Sequence, residues 1–205
     1  MSIALPCGSL ILQASQNGRF GYAVVQKGEM CVPKRIYLLR HAKSDWSAFG
    51  VPDHNRPLNR RGEKAAALVG NKLAEAAFEP SLVLCSTALR ASQTLDRVMA
   101  AGNFNWHTQH KRSLYHASAD TMLTMIHSVT PDVDSVLLVG HNPGMQDLAL
   151  ALTGTSEPAA LAQLKEKMPT GALVGLEFNV NCFSKITVGE GNLMCFLRPK
   201  QEFMQ

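Results

Sequence analysis

No run of apolar residues in this 205-residue chain approaches the roughly 20 that a membrane-spanning helix requires. The opening MSIALPCGSLILQAS carries no basic stretch ahead of its apolar residues, so neither membrane insertion nor export is expected. Cysteine is sparse and unpatterned. Cys7, Cys31, Cys85, Cys182 and Cys195 are odd in number and widely spaced, with no CxxC and no Cys/His ligand cluster. That excludes a disulfide scaffold and a structural zinc, and a reduced, cytoplasmic protein without metal or other cofactor is the expectation. Charge is thin as well: 18% of residues are charged, and the net +4 comes from scattered basic residues, so no nucleic-acid groove is expected. With 46% apolar residues against 15 Gly and 10 Pro, disordered and collagen-like classes are set aside. What remains is a globular chain long enough to bury roughly two-thirds of its unfolded surface around one core.

Residues 1–33 read differently from the rest. SLILQ and FGYAVV flank SQNGR, whose Asn17-Gly18 is a hairpin signal, so this stretch is read as an N-terminal extension with a candidate β-hairpin. An upstream extension that ends where Met30 opens MCVPKRIYLLRH is the plainer alternative. Residues 34–205 form the working domain.

From Ile36 onward, short apolar strands alternate with amphipathic segments, which predicts an α/β fold with a mostly parallel central sheet and helices on both faces. IYLL (36–39), SLVLC (81–85) and VLLVG (136–140) are the clear strands. Asn59 caps a helix running to about Phe78, a second helix stops at Gly102, a third runs from Ser118 to Pro131, and a fourth follows HNPG and ends at Gly154. ALVGLEF, FSKITV and LMCFLR predict an antiparallel meander at one sheet edge.

Each clear strand runs into polar residues: Arg40-His41 after the first, Ser86 to Arg90 after the second, and His141-Asn142 after the third. In an open α/β sheet ligands bind beyond the carboxyl ends of the strands, so two Arg and two His are expected to share one pocket. Such a cluster calls for an anion, and a phosphoryl group suits the planar fork of Arg. A neutral imidazole among these groups can attack phosphorus and carry it as a covalent intermediate.

The motifs YLLRHAKSDW, DHNRPLNRRG, LCSTALRASQT, LLVGHNPG and MPTGAL, in that order, resemble the histidine phosphatase superfamily with its phosphoglycerate mutase-like fold, and within it the small SixA-like phosphohistidine phosphatases. The resemblance covers about residues 35–200. It implies His41 as the phosphorylated nucleophile, with Arg40, Arg90 and His141 completing the catalytic pocket; Ser47 stands where many relatives carry an Asn that touches phosphate, and Ser47 and Asn142, the latter at a helix start that can aim amides at phosphate, are the candidate substrate contacts. The phosphoglycerate mutase branch carries a Glu that protonates the leaving oxygen, whereas this chain has KRSLYHASAD in the corresponding stretch. A phosphoramidate nitrogen is basic enough to leave without that help, so the departure favours an N–P substrate. His116, Asp120 and Asp45 stand as substitute acids, with none singled out.

The leading expectation is a metal-independent phosphatase acting on a phosphorylated protein, as phosphohistidine, or on a related small phosphoramidate. A phosphomonoesterase for a small metabolite and a catalytically silent phosphate-binding domain are the alternatives. Outside the pocket, His54, His107, His110, His116 and His127 are read as surface or packing residues. Arg60 and Arg61 are read as a solvated helix start, and Arg56 as a loop brace paired with Asp53.

Overall fold

The computed structural model describes residues 32–47 and 50–199. The hairpin expected around Asn17-Gly18 lies outside the described residues. Within residues 32–199 the strands are β1 (Lys34–Arg40), β2 (Leu82–Ser86), β3 (Thr108–Lys111), β4 (Ser135–Gly140), β5 (Thr153–Thr155), β6 (Leu173–Phe178) and β7 (Gly191–Leu197). They form one sheet in the order β3-β2-β4-β1-β6-β7-β5. β3, β2, β4 and β1 run parallel, β6 and β7 continue the sheet antiparallel, and β5 joins β7 in parallel at the edge.

The strand sequences dictate a two-faced core because side chains alternate along a strand. Ile36, Leu38, Leu82, Leu84, Val136 and Leu138 point to one face, where they meet Met122 and Ile126 of α3 (Ala119–His127) and Met145, Leu148 and Leu152 of α4 (Gly144–Leu152). Leu39, Val83, Cys85, Leu137 and Val139 point to the other. There they meet Ala66, Val69 and Leu73 of α1 (Arg60–Glu75) and Ala91, Leu95 and Val98 of α2 (Leu89–Gly102). Helices therefore cover both faces, as the periodicity predicts. Each fully buried aliphatic side chain contributes about 1.5–3 kcal/mol to this packing. Gly70 lets α1 and α2 approach closely, since a Cβ there would sit 2.3 Å from the carbonyl oxygen of Val98.

Helix starts follow their caps. Asn59 Oδ1 accepts from the Gly62 amide at 2.9 Å, and Ser118 Oγ accepts from Thr121 at 3.2 Å. α2 ends as expected, with Asn103 in the left-handed region (φ 55°) as its cap. α1 stops at Glu75, short of Phe78, and Ala77 turns the chain with φ 49°.

The closing meander is corrected in one member. FSKITV forms no strand; Phe183–Lys185 is a short 3-10 turn, and Phe183 and Ile186 are buried as plugs in the α3 side of the core. The two other members, β6 and β7, pair antiparallel as expected. α5 (Pro158–Glu166), started by proline and capped by Glu157, and the short strands β3 and β5 were not expected. Among the described residues no helix is long and apolar enough to cross a membrane.

Candidate active site

β2, β4 and β1 lie side by side, and their register brings Arg40 level with Gly140 and Cys85 level with Val139. The residues that follow these strands thus emerge at one sheet edge. The His41 amide donates to the Gly140 carbonyl at 3.0 Å. On the opposite side the amide of Gly171 donates to the carbonyls of Arg40 (3.0 Å) and His41 (3.1 Å). Gly171 holds φ 79°, a left-handed conformation that glycine adopts at little cost, so the MPTGAL segment acts as a brace for the end of β1.

His41 and His141 face each other with ring centroids 5.0 Å apart, and both are buried. His41 Nδ1 lies 2.7 Å from the Ala42 carbonyl oxygen. A carbonyl only accepts, so Nδ1 carries the proton and the lone pair of the neutral ring is on Nε2. Burial, joined by the charges of Arg90, Arg40 and Arg56, pushes His41 down to about 4, although the bond to Ala42 works the other way. Burial, then the neighbouring His41, Arg90 and His116, takes His141 down to about 3, with Asp53 opposing. Both rings are neutral at pH 7. His141 Nε2 is 2.9 Å from Ser86 Oγ.

The guanidinium groups come from three segments. Arg40, at the end of β1, donates to the Met168 carbonyl at 2.7 Å. Arg90, in the first turn of α2 and almost wholly buried, is clamped by one residue: Nη1 donates to the Asp53 carbonyl at 2.6 Å and Nη2 to Asp53 Oδ2 at 2.9 Å. Arg56 is also buried, pairs with Asp53, and lies over the exposed ring of Trp46 at 3.4 Å from its centroid. Asp53 is therefore a hub. Its Oδ2 also accepts from the Tyr115 hydroxyl at 2.7 Å and lies 3.3 Å from His116 Nε2. Partial burial works against its charge, yet the hydrogen bonds from Tyr115 and His116 and the adjacent Arg90 hold this carboxyl well below the usual carboxylate range. Three guanidinium groups share this site with one carboxylate, which pairs with two of them, and that leaves a net positive pocket suited to an anion.

Unmet hydrogen-bonding capacity concentrates here. Four of the six buried side-chain polar atoms without a hydrogen-bond partner among the described residues are Arg40 Nε, Arg56 Nε, His141 Nδ1 and Asn142 Oδ1. Buried polar groups are ordinarily satisfied, so this local excess marks a place built for a polar ligand. No three His, Cys, Asp or Glu side chains among the described residues are arranged to hold a metal ion.

Arg40, His41, Arg90 and His141 are thus brought together as the strand ends predict. Asn142 adjoins them, with Nδ2 donating to Gln146 Oε1 (3.0 Å) and to the Met168 carbonyl (3.2 Å). Ser47 is exposed, and both its amide and its hydroxyl donate to Asp45 Oδ1 at 2.8 Å. The pairing of Arg56 with Asp53 is present, but its setting is the pocket rather than a solvated loop. Asp53, Arg56, Tyr115 and His116 are the members that strand-end reasoning missed; DHNRP was the nearest signal. The ALRASQT segment works on a single helix face. Besides Arg90, Gln93 Oε1 accepts from the Leu58 amide at 2.7 Å and Thr94 Oγ1 accepts from the Ala42 amide at 2.9 Å, tying α2 to both flanking loops.

Comparison with known proteins agrees with this geometry. The family model for the histidine phosphatase superfamily (branch 1) matches residues 36–113. SixA from Agrobacterium tumefaciens, described as a phosphohistidine phosphatase, superposes with a TM-score of 0.69 at 35% identity, covering 82% of this chain and 99% of that one. An uncharacterised Mycobacterium tuberculosis protein is 36% identical over 140 residues, 67% of this chain and 85% of the relative. A chloroplastic protein of Arabidopsis thaliana is 34% identical over 134 residues; the match takes in 61% of this chain and spans 62% of that protein's length.

Proposed function

This chain belongs to the histidine phosphatase superfamily, and from that membership and the pocket's chemistry we propose a metal-independent phosphatase that hydrolyses phosphohistidine, or a related phosphoramidate, through a phosphohistidine at His41. The observation that carries the reading is the state of His41. Its Nδ1 proton is committed to Ala42, its Nε2 lone pair is free, and it is neutral at pH 7 between guanidinium groups.

In the first step His41 Nε2 attacks phosphorus and the P–N bond of the substrate breaks, its electron pair leaving with the protonated nitrogen. Arg40, Arg90 and Arg56 match the charge spread over the equatorial oxygens, a task that metal ions perform in many other phosphoryl-transfer sites. A Ser86 hydroxyl that donates to His141 Nε2 leaves the His141 proton on Nδ1, the atom without a partner, as a further donor to phosphate. In the second step water attacks the phosphoenzyme, the P–Nε2 bond breaks with its pair returning to His41, and orthophosphate leaves as the water proton is lost. The SixA neighbour is named for phosphohistidine, which supports an N–P substrate. Asp53, a carboxyl at this site, is held ionised beside the arginines and is not itself the proton donor.

Phosphoimidazole turnover with rapid acid–base quenching tests the proposal. An acid-labile, base-stable phosphoenzyme is expected in the wild type and absent in His41→Ala, and chelator leaves the rate unchanged. Arg40→Ala and Arg90→Ala each cost on the order of 2–4 kcal/mol of transition-state stabilisation. Label remaining on His41→Ala, or activity lost in chelator and restored by a divalent ion, overturns it.

A further inference from the structure

We propose that His116, backed by Asp53, is a proton donor in this site and extends its activity to phosphate monoesters whose leaving oxygen needs a proton. The inference rests on the His41 phosphoenzyme proposed above. Three histidine rings run outward from the nucleophile. His41 and His141 are 5.0 Å apart, and His116 lies parallel to His141, with an interplanar angle of 2° and centroids 5.7 Å apart. His41 and His141 are buried, whereas the His116 side chain is 56% exposed. A group attacked from the buried side leaves toward the open side, where His116 stands.

The partner of His116 suits this role. Its Nε2 donates to Asp53 Oδ2 at 3.3 Å, an arrangement in which a carboxylate fixes the orientation of an imidazole. With Nε2 engaged by Asp53, Nδ1 is the ring nitrogen from which a proton is passed. Asp53 receives Arg90 and Arg56 as well, so it supports the ring without competing as an acid.

The backbone places the ring independently of these bonds. His116 sits in the left-handed region (φ 53°), which few non-glycine residues adopt. Beside it Gly144 opens α4, and a Cβ at that glycine would fall 2.0 Å from the Ala117 carbonyl oxygen. Only a residue without a side chain lets the 115–117 segment lie this close to the helix that follows His141. The other acids in the sequence are placed elsewhere: Asp45 is engaged by Ser47, and Asp120 lies exposed in the first turn of α3.

The proton balance closes over two steps. As the P–O bond breaks, its electron pair goes to the leaving oxygen, which takes the His116 Nδ1 proton and departs as an alcohol. Neutral His116 then accepts a proton from the attacking water as the P–Nε2 bond of His41 breaks, and orthophosphate leaves with the imidazolium restored. The groups facing His116 are Asp53 from the loop before α1, Tyr115 beside it in chain, and His141 from the end of β4. Behind them, Arg90 of α2 pairs with Asp53, and His54 packs on Tyr115.

The test is a leaving-group series of phosphoimidazole, aryl phosphates and primary alkyl phosphates, run on wild type, His116→Asn and Asp53→Asn with phosphoenzyme trapping in parallel. Asn tolerates the left-handed backbone, so the variant fold is retained. In His116→Asn the ratio of alkyl phosphate to phosphoimidazole turnover falls by roughly 10²–10⁴, the usual worth of a general acid. The same ratio falls in Asp53→Asn, where the ring loses the carboxylate that orients it. An equal loss across the series, or a wild type no better than His116→Asn on alkyl phosphates, overturns the role of His116 while a trapped His41 phosphoenzyme leaves the phosphatase reading standing. Absence of that phosphoenzyme with phosphoimidazole in the wild type removes the phosphatase reading and this inference with it.

Discussion

Acidification should destabilise this protein through its two active-site histidines, in a pH window that their burial defines. A histidine of ordinary pKa 6.5 is held at about 4 in His41 and about 3 in His141. Below pH 6.5 the unfolded chain takes up a proton at each position while the folded site does not, so folding becomes less favourable as pH falls. The loss ends only when the folded rings themselves protonate. At about 1.4 kcal/mol per pH unit, each ring costs about 2 kcal/mol on going from neutral pH to pH 5. Both rings stay largely neutral in the fold at pH 5 and above, so their mutual repulsion does not enter, and the two costs add to about 4 kcal/mol. That is a large part of the 5–15 kcal/mol typical of a domain, and for this size it lowers Tm by about 10 °C.

Urea denaturation followed by far-UV circular dichroism at pH 7.5, 6.5, 5.5 and 5.0 measures the effect directly. His41→Asn and His141→Asn should each flatten the dependence by about half. Tungstate should flatten it too, because a bound dianion favours the protonated rings and lets the folded state share the proton uptake. Asp53 titrates in a separate and lower window. Its depressed carboxyl stabilises the fold above the ordinary carboxylate range and loses that contribution as pH falls through its folded value. A change below about 1 kcal/mol between pH 7.5 and 5.0, or a slope unaffected by both substitutions, would refute the account of how the site keeps its nucleophile neutral.

Two substitutions probe the scaffold and the arginine set. Gly144→Ala forces a methyl group against the Ala117 carbonyl and the Met122 side chain, so stability should fall by about 1–3 kcal/mol and kcat/KM should fall for every substrate as the 115–117 segment shifts; an unchanged Tm with unchanged kinetics would contradict the close approach. Arg56→Ala removes a charged donor with an unmet Nε–H, so tungstate or phosphate inhibition should weaken by about tenfold or more. Trp46 should lose its stacking partner, seen as a red shift in emission, and unaltered inhibition would place Arg56 outside the anion site.

How far the site could be read from sequence depends on what holds each residue in place. Arg40, His41 and His141 are fixed by strand ends, and strand ends follow from apolar runs: once IYLL and VLLVG are adjacent parallel strands in register, the residues after them must emerge together. Arg90 follows in the same way from SLVLC and the helix after it. FSKITV was misread because alternation of apolar residues is satisfied equally by a turn that buries Phe183 and Ile186, and nothing local separates the two. β3 escaped for the opposite reason. TQHK carries no apolar signal, and as an edge strand paired only with β2 it needs none. Asp53, Tyr115 and His116 belong to a third case. They meet across 62 and 63 positions of sequence through loops whose paths are set by side-chain hydrogen bonds, by a left-handed residue at 116 and by the missing side chain at Gly144. No periodicity encodes such a meeting. The stretch KRSLYHASAD therefore reads as a missing acid in one dimension, while in three dimensions it delivers an imidazole to the carboxylate that already holds Arg90.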